Sequence, residues 1–437
     1  MIDRYAKIEE KVIERVREAR DELADLVGQL VACDTTARDA GDPARDEDKL
    51  QRVVAHRLRS LGAVIDLWEP EPTGSKGSQY EPANLDFVGR PQCVARMAGD
   101  GGGRSLLLLG HIDAVGVEPR EQWHSDPFTL VERDGLLYGR GTADMKGGLA
   151  ALMLALQVLH QTGLRLRGDI LLASVTDEES SGAGGWAVVK RGYHADAGIC
   201  AEPTGFEPWI ACRGILKPRL TIHGRAGHTQ EPQPDWRAGG AVNAIDKLVP
   251  VLTEIRQLNA EWKTRSDMQH EVLAPGDIVP VLIDGGTWDV TYPAFCHLTL
   301  DAHYLPVHGT SGAAIKEELM SRINGAAESD LWVKEHPITW EWEYDVPPAE
   351  IPGDHPLVTL TLNTGAELQH PAKLGGLNSW HDAATFTLFG HTPTFSYGAH
   401  GMETAHAVNE RVSLDELVDS AAIVALVAMR WCGVVGS

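Results

Sequence analysis

Three segments in the first half of the chain share one pattern, in which an unbroken apolar run ends in polar residues. They read SLLLLGHID, DILLASVTDEES and DAGICAEPTG. Such a run, bounded by glycine or polar residues, is typical of a strand covered on both faces in a parallel sheet. Between the first two, MKGGLAALMLALQVLH predicts a helix that begins near Gly148. Strands that alternate with helices indicate an α/β fold with right-handed crossovers.

The polar residues at the ends of these predicted strands form a candidate site. His111 and Asp113 follow the first strand, Glu178 and Glu179 follow the second, and Glu202 follows the third. In open α/β sheets the functional site lies at the carboxyl ends of the strands. We therefore expect these five side chains to converge at one edge of the sheet.

The pattern changes near Arg213, where the alternating segment KPRLTIHGRAGH predicts a strand with one exposed face. A helix follows, then strand-like segments around 278–304 and a second helix around 311–325. This order predicts a compact βαββαβ insert of the α+β, ferredoxin-like type. The chain then returns to mixed α/β and ends in a helix from about Leu414.

The chain of 437 residues is longer than one ordinary hydrophobic core supports. We therefore expect two domains, one made of residues 1–212 and 328–437 and the other of residues 213–327. Within the first, residues 2–32 predict one long amphipathic helix.

Charge and composition narrow the class of protein. Lys plus Arg number 39 and Asp plus Glu number 62, which gives a formal net charge of −23. A field this negative argues against nucleic-acid or anionic-membrane partners and can attract cations. The start of the chain lacks an apolar targeting segment, the stretch AAIVALVAM is too short to span a bilayer, and the six cysteines form no CxxC pair. We expect a cytoplasmic protein that acts on a small molecule.

The motifs LGHIDAVG, LYGRGTADMKGG, TDEESSG, AEPT and ETAHAVNE carry the candidate chemistry. Together they supply two histidines and several carboxylates, which suit two divalent ions. One shared carboxylate can bridge such ions, and the ions lower the pKa of a water molecule between them toward neutrality. A carboxylate off the metals could then take the proton and pass it to a leaving nitrogen. Adjacent acids such as Glu178 and Glu179 suit this division between base and ligand.

In their order along the chain, the five motifs resemble those of the M20 metallopeptidase and deacylase family, which includes succinyl-diaminopimelate desuccinylase, acetylornithine deacetylase and glutamate carboxypeptidase. The resemblance extends from about residue 20 to the end. It implies a phosphorylase/hydrolase-like zinc-peptidase catalytic domain with a mixed sheet, and an inserted lid and dimerisation domain. It also implies two divalent metal ions per chain, which could be Zn, Mn or Co.

The resemblance assigns the metal ligands residue by residue. His111 and Glu202 resemble the terminal ligands of one ion, and Glu179 and His406 resemble those of the other. Asp144, in GTADMKGG, resembles the carboxylate that bridges the two ions.

Three further residues resemble the catalytic groups of the family. Glu178 corresponds to the general base, and Asp113 corresponds to the carboxylate that orients His111. His228, in GRAGHTQ, resembles a lid histidine that reaches across a dimer into the active site of the partner. The resemblance therefore implies a homodimer formed through the lid.

The predicted substrate pocket departs from the family pattern. Asp289 stands where the family usually has Asn, and His303 stands where it usually has an Arg that binds a substrate carboxylate. An imidazole cannot reproduce the bidentate fork of a guanidinium group. Trp380 and His381 occupy a stretch that is usually rich in small residues. We expect an altered pocket that suits a planar or aromatic substrate; the alternative is that another cation, Arg219, Arg225 or Arg237, replaces the missing Arg.

These observations predict a metal-dependent hydrolase that cleaves the C–N bond of a small amide, such as an N-acyl amino acid or a dipeptide. One alternative is an aminohydrolase that releases ammonia from a small aromatic amine. Another is a non-catalytic binding protein with the same fold. Loss of a ligand or of the base would favour the binding protein, and all seven positions are present.

Overall fold

The computed structural model describes residues 2–37, 42–74, 84–307 and 310–436. The helices within these ranges are α1 (Ile2–Glu18), α2 (Arg20–Val31), α3 (Glu47–Ser60), α4 (Lys146–Gln161), α5 (Ala183–Lys190), α6 (Ala244–Trp262), α7 (Gly312–Ala327), α8 (Leu331–Glu335), α9 (Pro356–Glu367), α10 (Asp382–Leu388) and α11 (Leu414–Cys432). The strands are β1 (Val64–Trp68), β2 (Gln92–Met97), β3 (Leu106–His111), β4 (Val131–Arg133), β5 (Leu136–Tyr138), β6 (Ile170–Val175), β7 (Ala197–Cys200), β8 (Trp209–Cys212), β9 (Gly214–His223), β10 (Asp277–Gly285), β11 (Phe295–Tyr304), β12 (Thr339–Val346), β13 (Ala349–Glu350), β14 (Gly375–Leu377), β15 (Thr394–Ser396) and β16 (Arg411–Ser413).

The chain divides into two compact units. The first unit comprises Met1–Ile210, Glu350–Gly376 and His381–Ser437, and the second comprises Ala211–Ala349 and Leu377–Trp380. The second unit is longer than the insert expected at residues 213–327. It is longer because β12 pairs with β9 and so belongs to the sheet of the second unit.

The large sheet contains the parallel strands whose ends carry the candidate polar residues. The described strands follow the order β1-β2-β6-β3-β7-β15-β8-β13, and β14 pairs with β8. Strand β3 runs parallel to both β6 and β7, whereas β2 runs antiparallel to β6. Every residue of β3, β6 and β7 is buried, as the unbroken apolar runs predict. The predicted α/β class with a mixed sheet is therefore confirmed.

Two helices of the first unit are buried along nearly their whole length. Helix α4 follows the loop that carries Asp144, and helix α11 contains the apolar stretch AAIVALVAM. Helices that are apolar on all sides belong inside a protein core or a membrane. Here α11 contacts α4, α9 and α1. Among the described residues, no helix combines the length and the apolar character that a bilayer crossing requires.

The N-terminal segment forms two helices rather than the single helix expected over residues 2–32. The helices α1 and α2 are separated at Ala19. Arg20, the first residue of α2, donates hydrogen bonds to Asp415 at 2.8 Å and to Glu132 at 3.2 Å. These long-range contacts hold the start of α2, and no local sequence signal marks them.

The second unit contains an antiparallel sheet with the order β10-β11-β9-β12. With α6 after β9 and α7 after β11, its chain order is βαββαβ, as the insert pattern predicts. Its core gathers buried residues from β9, β11 and both helices, among them Leu220, Leu300, Trp262 and Leu319.

Candidate metal centre

Every candidate ligand in the first unit comes from the end of a strand or from a loop. His111 ends β3, Asp144 precedes α4, Glu178 and Glu179 follow β6, Glu202 follows β7, and His406 precedes β16. The carboxyl ends of parallel strands meet at one sheet edge, which explains why distant segments of the chain converge here.

The candidate ligands form two groups that share one carboxylate. Ligand atoms of His111, Asp144 and Glu202 lie within 4.8 Å of one another, and so do those of Asp144, Glu179 and His406. Asp144 offers one oxygen to each imidazole. Its Oδ1 lies 3.0 Å from His111 Nε2, and its Oδ2 lies 3.5 Å from His406 Nε2. The resemblance to the M20 family implies these same two groups for two metal ions.

The histidines and Asp144 of the site shift the pKa values of one another. Burial lowers the pKa of His111, but the hydrogen bond to Asp144 and the nearby carboxylates raise it well above its usual value. The hydrogen bonds to Asp144 and Glu179 raise the pKa of His406 to about 10. Burial raises the pKa of Asp144, but its two histidine partners hold it well below the usual range.

The carboxyl groups of Glu178, Glu179 and Glu202 have too little positive charge around them to offset the cost of their burial. Burial and the neighbouring acids raise the pKa of Glu178 well above its usual value, raise that of Glu179, and raise that of Glu202 to about 8. Glu179 Oε1 is buried and has no hydrogen-bond partner among the described residues. A buried carboxylate without a partner is costly unless a cation neutralises it. Two histidines and several oxygen ligands therefore fit divalent metal ions.

Asp113 contacts the candidate ligands His111 and Glu179, but it contacts His111 through its backbone oxygen rather than its carboxylate. Its backbone oxygen lies 3.0 Å from His111 Nδ1, whereas its carboxylate Oδ1 lies 3.7 Å from the same nitrogen. The carboxylate Oδ2 instead accepts a hydrogen bond from the Glu179 backbone N–H at 3.0 Å. A proton on Nδ1 that bonds to the carbonyl leaves Nε2 of His111 available as a ligand atom.

Glu178 lies beside the two groups and belongs to neither. Its Oε2 is 3.9 Å from His111 Nε2, and its side chain is 11% exposed. This carboxyl group is therefore close to the candidate ligands and retains a small exposed fraction.

Two buried acids of this region were not among the predicted site residues. Asp382, at the start of α10, has both carboxylate oxygens buried without a hydrogen-bond partner in the described part of the chain, and burial raises its pKa well above the usual value. Glu410 is 1% exposed and accepts a hydrogen bond from the backbone N–H of Asp144. The sequence shows both acids, but their burial becomes apparent only in the folded chain.

Two of the predicted lid residues are exposed in the second unit. His228 accepts a hydrogen bond from the Gln230 backbone N–H at 3.2 Å, and its backbone forms an isolated bridge with Thr291. Asp289 is exposed in the connection between β10 and β11.

His303, on β11, lies between two aspartates. Its Nδ1 is 2.7 Å from Asp277 Oδ1, and its Nε2 is 3.5 Å from Asp301 Oδ2. Burial lowers its pKa, but the two carboxylates raise the pKa of His303 to about 9. Arg213 lies 3.4 Å from the same Asp277 oxygen. His303 is thus a cation whose two ring nitrogens already face carboxylates.

The predicted aromatic stretch contains a boundary in the chain, at which the residues of one unit end and those of the other begin. Trp380 belongs to the second unit and is 7% exposed, whereas His381 belongs to the first and is 4% exposed. His381 Nδ1 lies 2.9 Å from Ser396 Oγ. Burial lowers the pKa of His381 to about 4, so this imidazole is neutral at pH 7.

A mixed α/β sheet whose strand ends carry two histidines and several acids, together with a ferredoxin-like insert, defines a class of metallohydrolases. The sequence pattern described as Peptidase family M20/M25/M40 matches residues 107–430. The chain belongs to this family, which confirms the family resemblance of its motifs.

Relatives match nearly the whole chain. It is 26% identical over 441 residues to an N-formyl-4-amino-5-aminomethyl-2-methylpyrimidine deformylase of Bacillus subtilis, with 96% of each chain covered. It is 28% identical over 442 residues to a deformylase of the same name from Halalkalibacterium halodurans, with 97% of each covered. The solved structure of the dipeptidase Dug1p of Saccharomyces cerevisiae has a TM-score of 0.74 at 14% identity and covers 97% of this chain and 98% of that one. The predicted class, a hydrolase of C–N bonds in small molecules, is confirmed.

Proposed function

We propose that the chain is a dinuclear metal-dependent hydrolase, in which Asp144 would supply a ligand to each of two divalent ions. His111 and Glu202 would complete one site, and Glu179 and His406 would complete the other. Support comes from the two ligand groups that share Asp144 and from the buried, unpartnered oxygen of Glu179. When bound, such ions polarise a substrate carbonyl and lower the pKa of water.

In the proposed hydrolysis, Glu178 acts first as the general base and then as the general acid. It takes a proton from the attacking water, and the water oxygen bonds to the acyl carbon. The C–N bond then breaks, and Glu178 delivers the proton to the leaving nitrogen, which gives a carboxylic acid and an amine. Its position beside both ligand groups suits both steps, because a carboxyl group there can take a proton from the water and pass it to the leaving nitrogen.

For the substrate, we propose a short N-acyl amide, most simply a formamide, carried by a small planar ring amine. The observation that carries this proposal is the match to two deformylases over almost the full length of all three chains. The surroundings of His303 also favour a substrate without a carboxylate. Both of its nitrogens face aspartates, so it presents no free fork to an anion.

We further propose that the chain forms a homodimer through the second unit. Strand β10 ends the order of its sheet, and no described strand pairs with its outer edge. This edge exposes Val281 at 47%, Leu282 at 68% and Ile283 at 60%, and Val249 of α6 is 60% exposed. A long apolar edge strand is normally covered, and an antiparallel second copy would cover it. His228 is exposed in the same unit, which suits a side chain that acts in the site of a partner.

A hydrolysis screen on protein loaded with Zn or Mn tests the proposed substrate. The panel contains N-formyl-4-amino-5-aminomethyl-2-methylpyrimidine, N-acetyl amino acids, dipeptides and small aromatic amines, and the readouts are formate, free amine and ammonia. Release of formate from the pyrimidine, absent in Glu178→Gln, is the expected result.

Each other result of this screen selects a different function. Preferred turnover of N-acetyl amino acids or dipeptides would reject the ring-amine substrate and imply another anchor for a carboxylate. Ammonia from aromatic amines alone would identify the aminohydrolase alternative. Absence of turnover across the panel in protein that holds two ions would favour a binding protein.

A further inference from the structure

The side chain of Glu410 accepts hydrogen bonds from the backbone of the loop that carries Asp144. Its Oε1 accepts hydrogen bonds from the N–H groups of Ala143 at 2.8 Å and Asp144 at 3.0 Å. Its Oε2 accepts from the Gly141 N–H at 2.9 Å and from Arg140 Nη1 at 2.7 Å. One buried carboxylate thus accepts hydrogen bonds from three backbone N–H groups of this loop. Backbone N–H groups that converge on a carboxylate hold it in one orientation.

Arg140 neutralises this carboxylate and ties it to a second loop. Its guanidinium is 1% exposed, and Nη2 donates to the Gly116 carbonyl at 2.9 Å. The same guanidinium lies over the ring of Trp123, 5.0 Å from its centroid. A buried pair of this kind holds its position because breaking it leaves an uncompensated charge.

Glu410 also fixes the segment that carries His406, four residues earlier in the chain. Its backbone oxygen accepts from the Gly139 N–H at 3.1 Å, next to the pairing of β16 with β5. Within the segment, Thr404 Oγ1 accepts a hydrogen bond from the Arg411 N–H at 3.2 Å. His406 itself has a left-handed backbone with a φ of 62°, a conformation that a non-glycine residue keeps only when its surroundings hold it.

From this arrangement we infer that Glu410 is a positioning residue of the metal centre, with Arg140 as its counter-charge. It sets the distance between Asp144 and His406, which come from separate segments and belong to the same ligand group. The inference rests on the proposed pair of metal ions. Its specific consequence is that Glu410 governs binding of the ion held by Asp144, Glu179 and His406.

The variant Glu410→Gln disrupts the hydrogen bonds to the two carboxylate oxygens, and it changes the volume of the side chain little. An amide has one acceptor oxygen, and its NH2 group would face backbone N–H groups or Arg140, all of which are donors. The matched control is Glu9→Gln, which removes the negative charge that pairs with Arg430, 2.7 Å away, between α11 and α1. Both variants lose a largely buried ion pair, so both lose stability, but only the first alters the metal centre.

The experiment titrates the metal-free full-length chain with Co²⁺ and follows visible absorption and heat. For the wild type and Glu9→Gln, we expect two Co²⁺ per chain with the same two affinities and the same spectrum. For Glu410→Gln, we expect one affinity to fall by about 10- to 100-fold, with a changed spectrum of the second ion. Two unchanged affinities and an unchanged spectrum in Glu410→Gln would overturn the inference.

Two further outcomes are distinguishable. If Glu410→Gln does not fold, Glu410→Asp provides the same test, since it keeps the charge that pairs with Arg140 but is too short to reach the three backbone N–H groups; unchanged Co²⁺ binding in folded Glu410→Asp would overturn the inference. Fewer than two Co²⁺ in the wild type would instead reject the proposed pair of ions on which the inference rests.

Discussion

Glu178 and Glu179 are neighbours in the chain, yet their side chains meet different partners. Glu179 Oε2 lies 3.1 Å from His406 Nε2, and its backbone N–H is held by Asp113. Glu178 belongs to neither ligand group and lies 3.9 Å from His111. At the scale of single residues, these surroundings support the proposed division, in which Glu179 is a metal ligand and Glu178 transfers the proton.

Replacing each glutamate by glutamine should separate these two roles. In Glu178→Gln, we expect kcat to fall by about 100- to 10,000-fold while two metal ions remain bound, because only the proton carrier is lost. In Glu179→Gln, we expect the metal content to fall below two per chain. Measurement of kcat and of metal by elemental analysis checks both. Retained turnover in Glu178→Gln would remove the assignment of the base.

The sequence indicated which side chains of this site could lie together, but it did not indicate which residues hold them in position. His111, Glu179 and Glu202 could be predicted because strand ends place polar residues at one edge. Arg140 and Glu410 could not, because their role depends on backbone N–H groups that no residue spacing encodes. An Arg in the glycine-rich stretch GRGTAD and an acid in AVNE were the available signals.

At the scale of elements, the start of α4 shows how closely the backbone approaches the site. A Cβ on Gly148 would lie 2.1 Å from the carbonyl oxygen of Ala201, the residue before Glu202. Only glycine allows this contact between the helix and the end of β7. The predicted helix start near Gly148 was thus close to the observed start at Lys146, but the close approach could not be predicted without the fold.

Gly148→Ala should therefore destabilise the protein, although alanine is the better helix former. We expect the free energy of unfolding to fall by about 1–3 kcal/mol because the backbone near Glu202 must shift. The matched control is Gly325→Ala in α7, where nothing lies within 4 Å of the added Cβ and a gain of roughly 0.5–1 kcal/mol is expected. Chemical denaturation measures both. An equal gain in the two variants would contradict the close contact.

His303 should make the stability of the sheet depend on pH. Its pKa is about 9 in the folded chain and roughly 6.5 in an unfolded one. A raised folded pKa means that the contribution to stability is complete below pH ~6.5 and is lost as the pH rises through 9. The Tm of the wild type should exceed that of His303→Gln at pH 6, and the difference should disappear by about pH 10.

A second histidine on β11 provides the control for this pH dependence. His297 Nδ1 lies 2.9 Å from Thr221 Oγ1, a hydroxyl rather than a carboxylate. The difference in Tm between wild type and His297→Gln should not follow the same course with pH. A constant difference for His303→Gln would contradict the role of Asp277 and Asp301.

At the scale of the whole molecule, strand pairing between distant segments decides where each unit begins and ends. The change of pattern near Arg213 lies close to the observed start of the second unit at Ala211. The second unit extends past residue 328, where the sequence pattern places the return to the first domain, because β12 pairs with β9. The short piece Leu377–Trp380 also belongs to the second unit, and no local pattern separates it from its neighbours.

A mixed dimer tests whether His228 acts in the site of the partner. His228→Ala and Glu178→Gln should each be inactive alone. Equal amounts that exchange subunits should regain about one quarter of wild-type activity, because half of the dimers are mixed and each holds one complete site. Turnover before and after exchange measures this. Inactive mixtures with proven mixed dimers would contradict action across the dimer.

Anomalous X-ray diffraction from crystals of the full-length chain grown with Mn²⁺ or Zn²⁺ tests whether two metal ions share Asp144. We predict two anomalous peaks per chain, one in contact with His111 and Glu202 and the other with Glu179 and His406, with Asp144 in contact with both. A single peak, or two peaks with no shared contact to Asp144, would contradict the proposed pair of metal ions.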